Sequence, residues 1–284
     1  MVNLGLIGFG VYKNDEIRLW FGRFYVYSKK SPPVSLDQIY VINLDRSKDR
    51  YAVMQETLAR HGVNNYHRFS AADGYNLKFV SEDNEIFSGM DVKTGKFTLL
   101  NGNKLYKVLC LDKDVTYVHG FLGLGEIGCY CSHLQVWQEV VTKKQKYAMV
   151  LEDDAVLFTN FNEDMDNVLK NLPSKWDITY IDILGYREKS RTSFNRIINN
   201  PYLRKIPSTT KGVYGTGAYM VSYDGAKKLL DAAKGMIDMA IDGKLSDLIK
   251  RKEIRAYKTT KSFIKQKSWR EPGIHNPDSV IGAM

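Results

Sequence analysis

Short apolar runs alternate with segments of helical periodicity along most of the chain. Residues 38–44 form a β-branched, apolar run with polar neighbours on both sides, which predicts a buried strand. Tyr51, Met54 and Leu58 then recur at helical spacing, and a second short run follows at 66–71. A strand, a helix and a strand in this order predict a parallel βαβ unit.

The same alternation continues through the second half of the chain. A helix is predicted to begin at Gly125, with Ile127, Leu134 and Trp137 on one apolar stripe. Residues 147–151 are continuously apolar, which is typical of a strand in the middle of a parallel sheet. A further helix is predicted at 163–172, and further strands at 176–181 and 219–222. We therefore predict an α/β fold with a mostly parallel central sheet.

Four segments depart from this pattern and define the domain organisation. We predict an N-terminal extension at 1–34, a main domain at 35–245, and a basic C-terminal tail at 246–284 that packs on the main domain. Within the main domain, residues 75–118 are polar and rich in turn signals, which favours an insertion made of hairpins. Residues 187–211 contain two prolines and show no periodicity, so we predict a flexible basic loop there.

Composition and charge exclude several classes of protein. Apolar residues make up 44% and charged residues 26% of the 284 positions, which excludes a disordered chain, a fibre and a polytopic membrane protein. No run of about 18 apolar residues is present, so no transmembrane helix is expected. The net charge of +9 is concentrated in 187–211 and 244–270. Such patches suit phosphate, nucleic acid or anionic lipid.

The three cysteines, Cys110, Cys129 and Cys131, are too few for a disulfide framework. We therefore expect reduced thiols and a reducing compartment. Cys129 and His133 lie four residues apart on one helix face, but a zinc site needs more ligands. We favour a packed thiol and a polar histidine.

The strand at 147–151 ends in three adjacent acids, Glu152, Asp153 and Asp154. Ligands of open α/β sheets bind at the carboxyl ends of the strands. Because adjacent carboxylates repel one another, a cation among them would be stabilising, and their oxygens suit Mg²⁺ or Mn²⁺. The alternative is an exposed acidic turn after a strand.

Other polar residues near predicted strand or helix ends each have two interpretations. Arg46 and Arg50 suit phosphate oxygens, or they belong to a solvated helix face. Asp73 could accept a hydrogen bond from a ribose, or it belongs to an ordinary Asp–Gly turn. Asp242 could act as a general base or as a helix cap. The other candidates are Glu126 at a helix start, beside a Gly128 that permits close backbone approach, and His275 in the irregular tail.

Several motifs in the chain resemble those of glycosyltransferase family 25, which contains lipooligosaccharide and procollagen galactosyltransferases. The motifs occur in order over roughly residues 36–245. They are IYVINLDR at 39–46 with Arg50, RFSAADG at 68–74, GEIGC at 125–129 with SHL at 132–134, VLEDDA at 150–155, Trp176–Asp177, TGAY at 216–219, GAKKLL at 225–230 and Asp242. The family has a proline two residues before this last acid, where the chain has Ala240.

The resemblance implies a glycosyltransferase A-type nucleotide-sugar-binding fold and a metal-dependent, inverting transfer of a hexose from a UDP-sugar. Galactose is the first candidate sugar and glucose the second. The implied acceptors are a saccharide, a lipid-linked saccharide or a hydroxylysine-type hydroxyl. Mn²⁺ or Mg²⁺ is the implied cofactor. The implied site residues are Asp242 as catalytic base, Asn43, Arg46, Arg50, Asp73, Glu126, Glu152 and Asp153 in donor binding, and Asp154, Glu152 and His275 as metal ligands.

Other functions compete with this interpretation. A catalytically inactive relative could serve as a binding or scaffold protein, and acids with basic segments would also suit a metal-dependent phosphohydrolase. No nucleic-acid partner is expected. The loop at 187–211 would act as a lid over the diphosphate, and the basic tail either touches an anionic membrane or is a solvated surface. Without a recognisable signal peptide, we expect a cytoplasmic enzyme.

Overall fold

The computed structural model describes residues 9–10, 16–21, 24–29, 38–89, 104–111, 115–119, 122–158, 160–183 and 200–267. The chain divides into two compact units, Met1–Ser35 and Leu36–Met284. In the first unit, an antiparallel sheet is formed by β1 (Phe9–Gly10), β2 (Glu16–Phe21) and β3 (Phe24–Lys29).

The second unit contains five helices and fourteen strands among its described residues. In chain order they are β4 (Ile39–Asn43), α1 (Lys48–Arg60), β5 (His67–Ser70), β6 (Lys78–Val80), β7 (Ile86–Ser88), β8 (Leu105–Leu109), β9 (Val115–His119), α2 (Leu124–Thr142), β10 (Tyr147–Glu152), β11 (Ala155–Leu157), α3 (Phe161–Lys170), β12 (Ile178–Tyr180), β13 (Leu203–Lys205), β14 (Ala218–Ser222), α4 (Tyr223–Ala233), β15 (Met236–Ile237), α5 (Ile241–Lys250), β16 (Ala256–Thr259) and β17 (Ile264–Gln266).

A seven-stranded sheet in the order β13-β16-β12-β14-β10-β4-β5 forms the centre of this unit. The predicted βαβ unit is confirmed, because β4 and β5 flank α1 in sequence and pair in parallel. Strands β10 and β4 are also parallel, as are β12 and β16, whereas β14 runs antiparallel to both its neighbours. The predicted α/β fold is confirmed, with a central sheet of mixed direction.

Helices cover both faces of the central sheet. Strand β4 shows how, because Tyr40 and Ile42 pack into one apolar core while Ile39 and Val41 pack into the other. The first core includes buried residues of α2, α4 and α5, and the second includes those of α1 and α3. This three-layer arrangement explains why the central strands are apolar on both faces.

The inserted segment forms hairpins, as predicted. Strands β6, β7, β8 and β9 pair antiparallel, and β15 from the later part of the chain adds to β9 in parallel. Residues 90–103 and 112–114 of the insertion lie outside the described residues.

A flexible loop is predicted at 187–211. In the structure, the described part of this segment, residues 200–211, contains a strand. Strand β13 pairs with β16 at the edge of the central sheet. Leu203 is fully buried and Ile206 nearly so, because both side chains join the apolar cores. The lid expected for this segment is therefore wrong for residues 200–211, and residues 187–199 lie outside the described part of the chain.

The expectation of three reduced thiols is also wrong. Cys110, just after β8, forms a disulfide with Cys131 of α2, so the insertion is tied covalently to the main helix. Cys129 is a free thiol. The cytoplasmic location rested partly on reduced thiols and stays a prediction. No helix in the described ranges is long and apolar enough to cross a membrane.

Candidate active site

The three acids lie at the carboxyl end of β10, at the centre of the sheet. Glu152 is the last residue of β10, and Asp153 and Asp154 form the turn to β11. Their side chains are only 20%, 7% and 14% exposed, respectively. The alternative of an exposed acidic turn is therefore excluded, and the energetic cost of burying three carboxylates has to be offset by their partners.

Asp153 is fully engaged by protein donors. One carboxylate oxygen pairs with the Arg50 guanidinium from α1, and the other accepts a hydrogen bond of 2.6 Å from the buried Asn43 amide at the end of β4. Arg68 of β5 donates in turn to the side-chain oxygen Oδ1 of Asn43. Burial raises the pKa of Asp153, although Arg50 and Asn43 act in the opposite direction. Asp153 thus fastens the acidic turn to the βαβ unit.

Glu152 faces the opposite side of the turn and stays charged. Its Oε1 accepts a hydrogen bond of 2.6 Å from the Thr216 hydroxyl and lies 3.4 Å from Nε2 of His133. Its Oε2 accepts a hydrogen bond of 3.1 Å from the Gln266 amide. Burial raises the pKa of Glu152, but His133, Thr216 and the charge of Arg50 outweigh burial and leave this pKa below its ordinary value.

Asp154 carries the least satisfied carboxylate of the three. Its Oδ2 accepts a hydrogen bond of 3.2 Å from the same Gln266 amide, whereas its Oδ1 is buried without a hydrogen-bond partner among the described residues. Burial and the charge of Glu152 raise the pKa of Asp154 to about 7. An unpaired buried oxygen beside a second carboxylate is a poor arrangement for the protein alone, and a divalent cation with hard oxygen ligands would satisfy both groups.

A buried chain of aromatic side chains orients His133. The Trp137 indole donates to the Tyr219 hydroxyl at 2.9 Å, and that hydroxyl lies 2.9 Å from Nδ1 of His133. The Tyr219 oxygen accepts from Trp137, and if its own proton goes to Nδ1, then Nε2–H faces Glu152. The polar histidine predicted from the sequence thus acts as a positioning group for Glu152.

Cys129 borders the same cluster. Its Sγ, a ring nitrogen of His133 and a Glu152 oxygen all lie within 4.8 Å of one another. Burial raises the pKa of the Cys129 thiol well above its ordinary value, and the charges of Glu152 and Asp242 add to this effect. The trio could hold a thiophilic ion, whereas Mn²⁺ and Mg²⁺ prefer the oxygens of Glu152 and Asp154.

Asp242, in the first turn of α5, also belongs to this region. Its Oδ2 accepts a hydrogen bond of 3.3 Å from the Gly215 amide, and its Oδ1 accepts one of 2.7 Å from Gly243. Gly215 has a φ of 94°, a left-handed value that favours glycine. Nearby, the Tyr180 hydroxyl is buried without a hydrogen-bond partner in the described part of the chain. Burial and then the charge of Asp242 raise the pKa of Tyr180.

The remaining residues predicted to bind the sugar donor are Arg46, Asp73 and Glu126. Arg46 donates to Asp73 at 2.8 Å. Glu126 accepts a hydrogen bond of 2.9 Å from the Gly123 amide, and therefore caps α2 as in the helix-capping alternative. Gly128 of α2 packs directly on the backbone of residues 72–74, which confirms the predicted close approach. His275 lies outside the described residues.

Sequence reasoning missed Thr216 and Gln266 as individual members of the site. Thr216 lies in the TGAY motif that was matched as a whole, so its presence was signalled although its contact with Glu152 was not. Gln266 lies in the basic tail, where nothing in the pattern pointed to the acids. Cys129 was interpreted as a packed thiol, although it shares a helix face with His133.

Comparison with known proteins identifies relatives of this chain. The family model "Glycosyltransferase family 25 (LPS biosynthesis protein)" matches residues 36–245. A "Glycosyltransferase 25 family member" of Drosophila melanogaster is 27% identical over 214 residues, which cover 74% of this chain and 30% of the relative. Human "Procollagen galactosyltransferase 2" is 27% identical, with 73% and 29% covered. Human "Inactive glycosyltransferase 25 family member 3" is 26% identical, with 72% and 30% covered.

The match extends over most of the chain but only part of each relative. The chain spans less than a third of the length of these three relatives. The matched residues 36–245 include β4, α1, β5, α2, β10 and β14, and with them the acids 152–154 and Asp242. The α/β arrangement is that of the glycosyltransferase A type, and the chain belongs to glycosyltransferase family 25.

Proposed function

We propose that the protein is a metal-dependent, inverting glycosyltransferase that moves a hexose from a UDP-sugar to a hydroxyl of a saccharide or hydroxylysine-type acceptor. Galactose is the preferred sugar, because several proteins similar to this chain carry the printed name procollagen galactosyltransferase. Glucose differs from it at one hydroxyl and is the second candidate.

The observation that carries the proposal is the convergence of Glu152 and Asp154. One oxygen of each lies 3.1–3.2 Å from a single nitrogen of Gln266, and Oδ1 of Asp154 has no partner in the described part of the chain. Glu152 and Asp154 would hold a Mn²⁺ or Mg²⁺ ion. When bound, such an ion supplies Lewis-acid stabilisation of the negative charge on the departing diphosphate.

The donor would be oriented by residues at the ends of β4 and β5. The Arg50 guanidinium lies 3.8 Å from Oδ2 of Asp154 and is still 30% exposed, so it adds positive charge beside the acids. Asp153 and Asn43 hold this region in place. Asp73 is fixed by Arg46 and offers a carboxylate that could accept from a ribose hydroxyl.

The acceptor hydroxyl needs a base, and Asp242 is our candidate. Its carboxylate is half-buried and is held by the Gly215 and Gly243 amides, which fix its orientation. In the reaction the hydroxyl oxygen bonds to the anomeric carbon, its proton passes to Asp242, and the bond to the UDP oxygen breaks.

A second candidate function is sugar-nucleotide or glycan binding without transfer. Similarity to a human relative whose name marks it as inactive is nearly the same as that to the galactosyltransferases, 26% against 27%. The buried and convergent acids favour the active alternative, because the cation they would hold supplies the charge stabilisation that transfer requires.

We also propose that the enzyme meets a lipid-linked acceptor at a membrane surface through its basic tail. In the described part of the tail, Lys250 and Lys252 are exposed, while Arg251 pairs with Asp247 and Glu253. This surface is therefore mixed in charge, and a weak, salt-sensitive attraction is expected. Co-sedimentation with phosphatidylserine vesicles, compared with pure phosphatidylcholine vesicles, tests it.

The test of the main proposal is transfer of labelled hexose from UDP-galactose and from UDP-glucose, with hydrolysis as the readout when no acceptor is known. We expect activity with Mn²⁺, none with EDTA, and a loss of at least roughly 100-fold in Asp154→Asn. The exposed Asp231→Asn is the matched control and should keep full activity. Tight binding of a UDP-sugar without turnover in the wild type would instead establish the binding function.

A further inference from the structure

The side-chain amide of Gln266 lies between the two carboxylates that would hold the cation. Its Nε2 donates one hydrogen bond to Oε2 of Glu152 at 3.1 Å and another to Oδ2 of Asp154 at 3.2 Å. A primary amide has two N–H donors, one for each carboxylate. The neutral amide nitrogen thus occupies the place between two negative charges where a cation would be expected.

The backbone around Gln266 directs this side chain into the site. Strand β17 pairs antiparallel with β11, which places Gln266 opposite Ala155, the residue after the acidic turn. The backbone N–H of Gln266 donates to Oδ2 of Asp182 at 2.7 Å, and the backbone N–H of Lys267 donates to the backbone carbonyl oxygen of Asp154 at 3.0 Å. Gln266 is therefore held from both neighbouring segments, and its side chain has little choice of direction.

A glycine leaves the space that this amide needs. A Cβ atom added to Gly217 would lie 3.1 Å from Cδ and 3.3 Å from Oε1 of Gln266. Such contacts are tighter than ordinary van der Waals distances, so a larger residue at this position would press on the amide. The Gln266 side chain thus lies close to Gly217 on one side and hydrogen-bonds Glu152 and Asp154 on the other.

The same amide offers a metal ligand at its other end. Carbonyl oxygens of Gln and Asn are regular ligands of hard divalent cations. The terminal torsion of Gln is broad and roughly two-fold, so a turn of about 180° exchanges Nε2 and Oε1 without moving the backbone. With a cation between Glu152 and Asp154, the turned amide would present Oε1 to the ion.

We propose that Gln266 is a third protein ligand of the cation. When the ion is absent, its NH₂ group holds the carboxylates of Glu152 and Asp154 close together through hydrogen bonds. The inference rests on the proposed function, because it takes the metal site at Glu152 and Asp154 as given. As a neutral ligand, Gln266 completes the site while two carboxylates balance the divalent charge. It also makes the tail, which follows the family match at 36–245, a part of the site.

Mn²⁺ binding without any donor tests this inference, measured by the electron paramagnetic resonance signal of free Mn²⁺. We expect roughly tenfold weaker binding in Gln266→Ala than in the wild type, as metal-site changes commonly give. Gln138→Ala, at an exposed glutamine of α2, is the matched control and should bind as the wild type does. Equal affinity of Gln266→Ala and the wild type would overturn the inference, whereas absence of Mn²⁺ binding in the wild type would overturn the proposed function.

A second variant keeps the test decisive if Gln266→Ala folds poorly. Gln266→Glu places a third carboxylate against Glu152 and Asp154, so its Tm in EDTA should fall below that of the wild type through like-charge repulsion. Mn²⁺ should then raise its Tm by more than it raises the Tm of the wild type, since the new carboxylate is a stronger ligand. Equal Mn²⁺-induced shifts in the two proteins would contradict a ligand role for this side chain.

Discussion

Arg50 reaches from the first helix of the main unit to the buried carboxylate of Asp153 and forms an ion pair with it. The sequence leaves two interpretations for this arginine, a phosphate contact or a solvated helix face, and in the structure its charge also neutralises the protein's own acids. Asp153 is 7% exposed, and among the described residues Asn43 gives its one other side-chain hydrogen bond. The stability of the acidic turn therefore depends on this pair.

Removing the arginine should destabilise the fold. In Arg50→Gln the carboxylate of Asp153 stays buried without its cation, and we expect a loss of roughly 1–3 kcal/mol in the free energy of unfolding. Urea unfolding measures it. Arg60→Gln is the control, because Arg60 and Glu56 form an exposed pair worth roughly 0.5 kcal/mol or less. The double variant Arg50→Gln, Asp153→Asn should recover much of the loss, and full additivity of the two single losses would contradict the pairing.

Two helical glycines should respond to alanine with opposite sign. A Cβ atom on Gly128 would lie 2.6 Å from the carbonyl oxygen of Ala72, whereas one on Gly243 would meet nothing closer than 3.5 Å. Gly128→Ala should therefore cost roughly 1–3 kcal/mol, because backbone has to move. Gly243→Ala should be neutral or stabilising by up to about 1 kcal/mol, since alanine favours the helix. Thermal unfolding of both variants checks the contrast, and equal effects would refute the close packing at Gly128.

The contrast between these glycines shows what the sequence can convey. The GEIG motif at a helix start indicated a close backbone approach, and the apolar run before Glu152 placed the acids at the end of a buried strand. Both signals are local. The direction of β14 was not predicted, because an apolar run looks the same in a parallel and an antiparallel neighbour.

Features that depend on distant pairing were missed for the same reason. Gln266 enters the site only because β17 pairs with β11, about a hundred residues earlier in the chain. Strand β13 lies between Pro201 and Pro207 and has three residues, too few for a period-two pattern to stand out. The Cys110–Cys131 disulfide depends on how the insertion folds against α2. None of these contacts produces a periodic pattern in the amino-acid sequence.

A bound divalent cation should stabilise the protein. Mn²⁺ at about 100 times its Kd would add about 2.7 kcal/mol by mass action, which corresponds to a rise in Tm of roughly 5–10 °C for a unit of this size. Differential scanning fluorimetry with Mn²⁺ and then with excess EDTA measures it. Asp154→Asn should lose the shift, and Asp231→Asn should keep it. A shift that persists in Asp154→Asn would move the ion to another site.

The hydroxyl of Tyr219 should matter for stability far more than an exposed tyrosine hydroxyl. In Tyr219→Phe the buried Trp137 indole loses its acceptor and His133 loses its partner at Nδ1, so we expect a loss of roughly 1–3 kcal/mol. Tyr117 is 40% exposed, and Tyr117→Phe should change stability by less than about 0.5 kcal/mol. Denaturant unfolding of both variants provides the measurement, and similar values for the two would contradict the buried network.

Replacing Asp242 should separate catalysis from binding. Asp242→Asn keeps an oxygen that can accept from the Gly215 or Gly243 amide, so the fold should be retained, but the amide cannot take a proton from the acceptor. We expect kcat to fall by roughly 100-fold to 10,000-fold while the Mn²⁺-induced shift in Tm stays as in the wild type. Steady-state transfer assays and scanning fluorimetry on the same preparation measure both quantities. Wild-type kcat in Asp242→Asn would assign the base to another residue, whereas loss of the Mn²⁺ shift would place Asp242 at the metal instead.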